Sequence, residues 1–176
     1  MLVCKDIVKD YCSGADTVHA LKSVSLSFRD HEFVSILGPS GCGKSTILNI
    51  LAGLIEDYSG QLFVDDERIK GVSSHFAYMP QNDLLLEWRT ILDNVCLYGE
   101  INHDKSMKQR ALKEFETFGL SGYENAYPSS LSGGMRQRAA FLRTSLCKAD
   151  ILLLDEPLSN LDTKLRVETR QEIRRI

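Results

Sequence analysis

The sequence predicts an α/β fold, and three observations predict it. A glycine-rich loop, 38–46, lies between a strand-like run and a helix-like run. A short apolar run, 151–154, has the unbroken character of a central parallel strand and ends in two carboxylates. The N-terminal part carries alternating apolar and polar residues typical of antiparallel strands. The chain of 176 residues is long enough for one domain with a sizeable core.

The N-terminal segment is predicted to be rich in strands. Val24, Leu26 and Phe28 alternate with serines, the period of a half-buried antiparallel strand. The run 62–64 reads as a strand that enters a tight polar turn at 65–68, and 76–79 reads as another strand that ends at a proline. We therefore expect a β subdomain and the loop core within residues 1–80.

The glycine-rich loop fits the phosphate-binding pattern G-x-x-x-x-G-K-[ST]. It is expected between a strand, 33–37, and a helix, 45–52, which is the context that gives the pattern its mechanism. Loop amides and the helix N-terminus attract an anion, Lys44 reaches the outer phosphates, and the Ser45 hydroxyl holds Mg²⁺. The candidate ATP-binding residues of the loop are Gly38, Pro39, Ser40, Gly41, Cys42, Gly43, Lys44, Ser45 and Thr46.

Helices are predicted after Gln81. Thr90, followed three residues later by Asp93, is typical of a capped helix start. Apolar residues at helical spacing from 107 to 118 predict a core-facing helix that stops at Gly119. The last segment, 161–176, has the pattern of a charged helix.

Two further segments carry candidate chemistry. Asp155 and Glu156 follow the apolar strand 151–154, at the end of a sheet where ligands of open α/β folds bind. The simpler alternative is a solvated acidic pair. Ser132 and two glycines open a helix predicted over 135–146, a second phosphate-binding arrangement. Two half-sites in one chain make sense if two copies meet head to tail, each covering the other's nucleotide.

These residues together resemble the ATP-binding subunit of ABC transporters, over about residues 1–176. The resemblance implies a P-loop NTPase fold with a RecA-like parallel-sheet core, an N-terminal antiparallel β subdomain and an inserted α-helical subdomain. The implied parts are 1–80 with the loop core, 81–146 with the helices, and 147–176 with the last strand and helix. The matching motifs are Walker A at 38–46, the Q-loop glutamine at Gln81, the signature at Leu131, Ser132, Gly133, Gly134 and Met135, Walker B at 151–156, and the D-loop at 159–162.

The resemblance also implies roles. Glu156 is the catalytic base or water-orienting carboxylate, and Ser45, Gln81 and Asp155 organise Mg²⁺. The signature residues contact ATP bound by the partner subunit, and Asp162 sits at the dimer seam. Tyr11 occupies the place of an aromatic residue that stacks on adenine; a core aromatic is the alternative for this position.

The implied protein binds and hydrolyses MgATP as the energy-coupling subunit of an importer. Its implied partners are a second copy, integral-membrane permease subunits and a substrate-binding protein, and its implied place is the cytoplasmic face of the membrane. The segment 84–95 resembles importers of nitrate, sulfonate, taurine and thiamine precursors, whereas 156–162 is nearer to sugar and polyamine importers. The first group is preferred.

The family pattern continues to a histidine after the D-loop helix, and the four histidines of this chain all precede the signature. We therefore expect a chain that is incomplete at its C-terminus and whose hydrolysis alone is severely weakened. A nucleotide-binding remnant without turnover, and a soluble ABC-type ATPase outside transport, remain alternatives. The net charge of −3 argues against a nucleic-acid partner. Five scattered cysteines without Cys-x-x-Cys spacing argue against a disulfide framework or zinc site.

Overall fold

A computed structural model describes residues 1–14 and 16–157. The chain divides into two compact units, residues 1–76 and 77–176. The predicted charged helix 161–176 and the D-loop residue Asp162 lie outside the described residues. The division into three parts at 80 and 146 stays a prediction.

The first unit is built on a four-stranded antiparallel sheet of order β2-β1-β3-β4. Its strands are β1 (Leu2–Ser13), β2 (Asp16–Phe28), β3 (Ser59–Val64) and β4 (Glu67–Ile69). The predicted alternation along β2 is confirmed, because residues 24, 26 and 28 are partly buried and the serines between them are exposed. Asp65 and Asp66 make a tight turn, both with positive φ, but this turn is shorter than the predicted 65–68, because Glu67 and Arg68 pair with β3 as part of β4.

The core of this unit lies on one face of the sheet. Leu2 and Cys4 of β1 pair with Val64 and Leu62 of β3, so that four buried side chains share that face. Helix α1 (Lys44–Leu51) contributes a buried apolar stripe at Ile47, Leu48, Ile50 and Leu51. It ends at Ala52, and Gly53 follows with φ 76°, as the sequence predicts.

The predicted strand 33–37 is wrong. These residues have no strand pairing in the described chain, and Phe33 and Leu37 are 73% and 88% exposed. A strand needs a ladder of hydrogen bonds to a neighbour, and an apolar run without a paired neighbour has no such ladder. The glycine loop is therefore approached by an irregular, exposed segment.

The second unit combines a two-stranded parallel sheet with helices. Its strands are β5 (Phe76–Met79) and β6 (Ile151–Leu154), both predicted. Leu153 is the one buried residue of β6 and the other three are partly exposed, so the strand is less covered than its unbroken apolar run predicts. Its helices are α2 (Ile91–Val95), α3 (Leu97–Ile101), α4 (Met107–Thr117) and α5 (Gly133–Ser145), with a 3₁₀ turn at Pro128–Ser130.

The core of the second unit is formed by apolar residues of α2, α4 and α5 around Phe115 and Phe141. The predicted cap at Thr90 is present, since its hydroxyl oxygen accepts a hydrogen bond from the amide of Asp93. Among the described residues, no helix has both the length and the apolar character needed to cross a bilayer.

Candidate functional site

The glycine loop of the first unit turns directly into α1 and packs against β2. Gly43 caps the helix with φ 94°, and a Cβ at this position would lie 2.6 Å from the carbonyl oxygen of Ala20. Only glycine tolerates this conformation and this close approach. The first amides of α1 have no acceptor inside the helix, so they are available to an anion at the loop.

Lys44 closes the loop on itself. Its ammonium group donates hydrogen bonds of 2.8 Å to the carbonyl oxygens of both Gly38 and Pro39. Ser45 is exposed in the first helical turn. The Sγ atom of Cys42 would lie 2.5 Å from a Cβ built on Gly38, so the thiol packs against this glycine and leaves no room for a side chain there. A cation, free helix amides and a hydroxyl in one loop form a donor set that fits a phosphate chain.

An open cleft of about 310 Å³ lies beside this loop, and Gly41 and Cys42 form part of its wall. The other lining residues come from β2: His19, Ala20, Leu21, Lys22 and Val24. Tyr11 of β1 is 43% exposed, and the ammonium of Lys9 lies 4.9 Å from its ring centre. Tyr11 is therefore not a core aromatic, and its stacking on adenine stays a prediction.

Asp155 lies at the end of β6 in the second unit and is 5% exposed. Its amide donates to the carbonyl oxygen of Met79 at 2.9 Å, which joins the ends of β5 and β6. Burial, together with the negative charge of Asp155, raises the pKa of Tyr78 to about 12.

Glu156 is exposed and has a left-handed backbone with φ 49°. The side-chain amide of Gln81 donates to its carboxylate, with 3.0 Å between Nε2 and Oε2. The structure thus brings Gln81, Asp155 and Glu156 together at the carboxyl ends of two parallel strands. Ser45, the remaining predicted Mg²⁺ ligand, belongs to the first unit.

The tip of α5 carries the predicted signature. The helix begins at Gly133, two residues earlier than predicted, because the Ser132 hydroxyl caps it by accepting from the amide of Met135 at 3.3 Å. Leu131 is buried and Met135 packs against the core, so both anchor the turn. A Cβ on Gly133 would meet nothing within 4 Å, which leaves this face of the helix tip open. Gly134 follows in the first turn.

Sequence reasoning missed the ion pairs of α5. The Arg136 guanidinium forms two hydrogen bonds to the Asp83 carboxylate, at 2.9 and 3.0 Å, and a third contact of 2.7 Å to Glu87. Burial alone raises the pKa of Asp83, but hydrogen bonds from Arg136 and the Leu85 amide outweigh it and lower that pKa. No local pattern pairs residues 53 positions apart, so the sequence held no signal for this contact.

The chain is similar to known proteins over most of its length. A family profile described as ABC transporter matches residues 21–159. The aliphatic sulfonates import ATP-binding protein SsuB of Bacillus cereus is 37% identical over 161 residues, which are 92% of this chain and 64% of the relative. The nitrate import ATP-binding protein NrtC of Synechococcus elongatus is 39% identical over 167 residues, 93% of this chain and 25% of the relative.

Solved structures match over more of the chain. The ATP-binding cassette MJ0796, in a dimeric post-hydrolysis state bound to ADP and Pi, superposes with a TM-score of 0.89 at 31% identity. The match covers 98% of this chain and 81% of MJ0796. The predicted P-loop NTPase fold class is thereby confirmed. The chain spans less than two thirds of the length of the Bacillus sulfonate relative.

Proposed function

The chain belongs to the ABC transporter family, and from this premise we propose that it binds and hydrolyses MgATP as the energy-coupling subunit of an importer. The observation that carries the proposal is the loop of the first unit. It presents the Lys44 ammonium, the free amides at the start of α1 and the exposed Ser45 hydroxyl as one donor set. Such a set binds a nucleoside triphosphate through its phosphates, whatever the base.

Glu156 is proposed as the carboxylate that orients the attacking water and accepts its proton. It is exposed to solvent at a strand end, and Gln81 holds one of its oxygens. Asp155 and Gln81 would each offer Mg²⁺ an oxygen atom, and the family resemblance adds the Ser45 hydroxyl of the first unit as a further ligand. A bound Mg²⁺ neutralises charge that develops on the phosphates.

The tip of α5 is proposed to contact ATP held by a second copy of the chain. Its support is the Ser132 cap with the open face of Gly133 beside it. A hydroxyl and free amides at a helix start suit a γ-phosphate. We propose that two copies close around ATP and reopen after hydrolysis. This cycle would drive the conformational change of the membrane subunits. The dimeric state of MJ0796 supports this arrangement.

The transported substrate is proposed to be a small oxyanion, such as a sulfonate or nitrate. Its support is the naming of the SsuB and NrtC relatives as import proteins for aliphatic sulfonates and for nitrate. We further propose that the protein acts at the inner face of the membrane, together with permease subunits and a substrate-binding protein.

The test uses two preparations, the chain alone and the chain co-expressed with permease subunits. ATP affinity and the steady rate of ATP hydrolysis are both measured on each preparation. Lys44→Ala is expected to weaken ATP binding by roughly 10-fold or more, since it removes a charge-assisted phosphate contact. Glu156→Gln is expected to keep ATP affinity and abolish turnover. Lys70→Ala, which removes an exposed lysine outside the loop, is the matched control. Unchanged affinity in Lys44→Ala would refute the proposal.

A further inference from the structure

Gln137 is a buried polar side chain to which the proposed mechanism gives no role. It lies on α5 and is 4% exposed. Its Nε2 atom donates to the backbone carbonyl oxygen of Glu156 at 3.3 Å. Since only the nitrogen of the amide can donate to a carbonyl, this contact determines which way the amide faces.

The other half of the same amide is unsatisfied. Among the described residues, no donor reaches the Oε1 atom of Gln137. A buried amide with one half unpaired is less favourable than an apolar side chain of equal length. Stability alone therefore does not explain a glutamine at this position, and violations of this kind concentrate at functional sites.

The contact falls on a strained residue. The backbone of Glu156 has φ 49°, a left-handed conformation that residues other than glycine and asparagine seldom adopt. Such conformations persist where neighbouring groups hold them, and they cluster at active sites. Two amides hold Glu156: Gln81 at the carboxylate and Gln137 at the carbonyl oxygen.

We propose that Gln137 is a positioning residue that holds the left-handed backbone of Glu156, and thereby aims its carboxylate at the water of the hydrolytic reaction. The inference rests on the proposed function of Glu156. Because Ser132 caps α5 between one and two turns before Gln137, the same contact also ties the helix tip to Glu156 within one chain.

The test replaces Gln137 by methionine, which has similar length and no polar atom to leave unpaired. The matched control is Thr144→Val on the same helix. Thr144 is 5% exposed, and its hydroxyl donates to the carbonyl oxygen of Ala140 in its own helix. We expect Gln137→Met to keep its melting temperature and its ATP affinity, and to lose roughly 10- to 100-fold in kcat. Thr144→Val is expected to keep all three.

A double variant shows whether Gln137 acts through Glu156. If it does, the residual single-turnover rate of Gln137→Met combined with Glu156→Gln is no lower than that of Glu156→Gln alone. Additive losses would overturn the inference. A lowered melting temperature or weakened ATP binding in Gln137→Met would overturn it as well, because both indicate a purely structural role.

Hydrogen exchange makes the test independent of turnover. In the nucleotide-free chain, the amides of Asp155 and Glu156 are expected to exchange roughly 10-fold faster in Gln137→Met than in wild type or Thr144→Val. If these two amides exchange at the wild-type rate in Gln137→Met, the inference is wrong even if the protein is an ATPase. If the wild-type chain binds ATP but does not hydrolyse it, the proposed function is wrong. In that case the exchange rates alone still show whether Gln137 holds the backbone of Glu156.

Discussion

The side-chain nitrogen of Gln81 lies 3.0 Å from a carboxylate oxygen of Glu156, although the two residues are 75 positions apart. The family resemblance implies that Gln81 binds Mg²⁺ and that Glu156 orients the attacking water. Their contact adds that the same amide also holds the carboxylate, because its nitrogen can donate to Glu156 while its oxygen is the atom that suits a cation. A change at Gln81 should therefore lower the rate of hydrolysis.

Gln81→Glu is expected to lower kcat of hydrolysis. The substitution removes the amide nitrogen that donates to the Glu156 carboxylate, so that carboxylate is no longer held. We expect kcat to fall by roughly 10-fold, measured as steady ATP hydrolysis. Gln61→Glu, which adds the same charge at an exposed position of β3, serves as the control. A kcat equal to that of the wild type would contradict the role given to the contact between Gln81 and Glu156.

Ser132→Ala is expected to separate helix capping from contact with a partner. The substitution removes the cap of α5 and should cost about 1 kcal/mol of unfolding free energy. Thr90→Ala removes the cap of α2 at a similar cost. Size-exclusion chromatography in the Glu156→Gln background should show ATP-driven dimers with Thr90→Ala and few or none with Ser132→Ala. Equal dimerisation would argue against the proposed role of the α5 tip.

Arg136→Ala is expected to destabilise the protein more than Arg89→Ala. Arg136 and Asp83 are each 24% exposed and form a bidentate, charge-assisted pair, so its loss should cost about 1–2 kcal/mol in urea unfolding. Arg89 and Glu100 are 32% and 47% exposed, so the loss of their ion pair in Arg89→Ala should cost only about 0–1 kcal/mol of unfolding free energy.

The pH dependence of that difference provides a second check. The pKa of Asp83 is lowered in the fold, so its contribution is present above the unfolded value of 3.8 and is lost as the pH falls through the folded value. The difference in unfolding free energy between wild type and Arg136→Ala should therefore become smaller as the pH falls into the acid range. A gap that stays constant down to the acid transition would refute this account of the pair.

Tyr78→Phe is expected to protect the fold at alkaline pH. The folded pKa of Tyr78 is about 12 against 10.0 in the unfolded chain, so the neutral phenol stabilises the fold below pH 10. That contribution is lost as the pH rises towards 12, and wild type should lose more unfolding free energy over this interval than Tyr78→Phe. The unfolding free energy of both proteins is measured by denaturant titration between pH 10 and pH 12. If both lose the same amount over this interval, Tyr78 does not cause the alkaline destabilisation.

Much of the local structure could be predicted because its causes are local. The loop glycines, the cap at Thr90 and the turn at Asp65 depend on residues a few positions apart, and each is found where the sequence places it. The start of α5 was displaced by two residues because the Ser132 cap, rather than the first apolar residue, determines where the helix begins.

By itself, the sequence determined the family motifs, the elements that carry them and the types of residue at the site. Only the tertiary structure decided which distant groups meet: Gln81 with Glu156, Arg136 with Asp83, and Gln137 with the carbonyl oxygen of Glu156. It also decided that 33–37 forms no strand, despite its apolar run. The physical reason is the same in each case, since a hydrogen bond or a strand ladder needs a partner, and the position of a distant partner is set by packing rather than by local pattern.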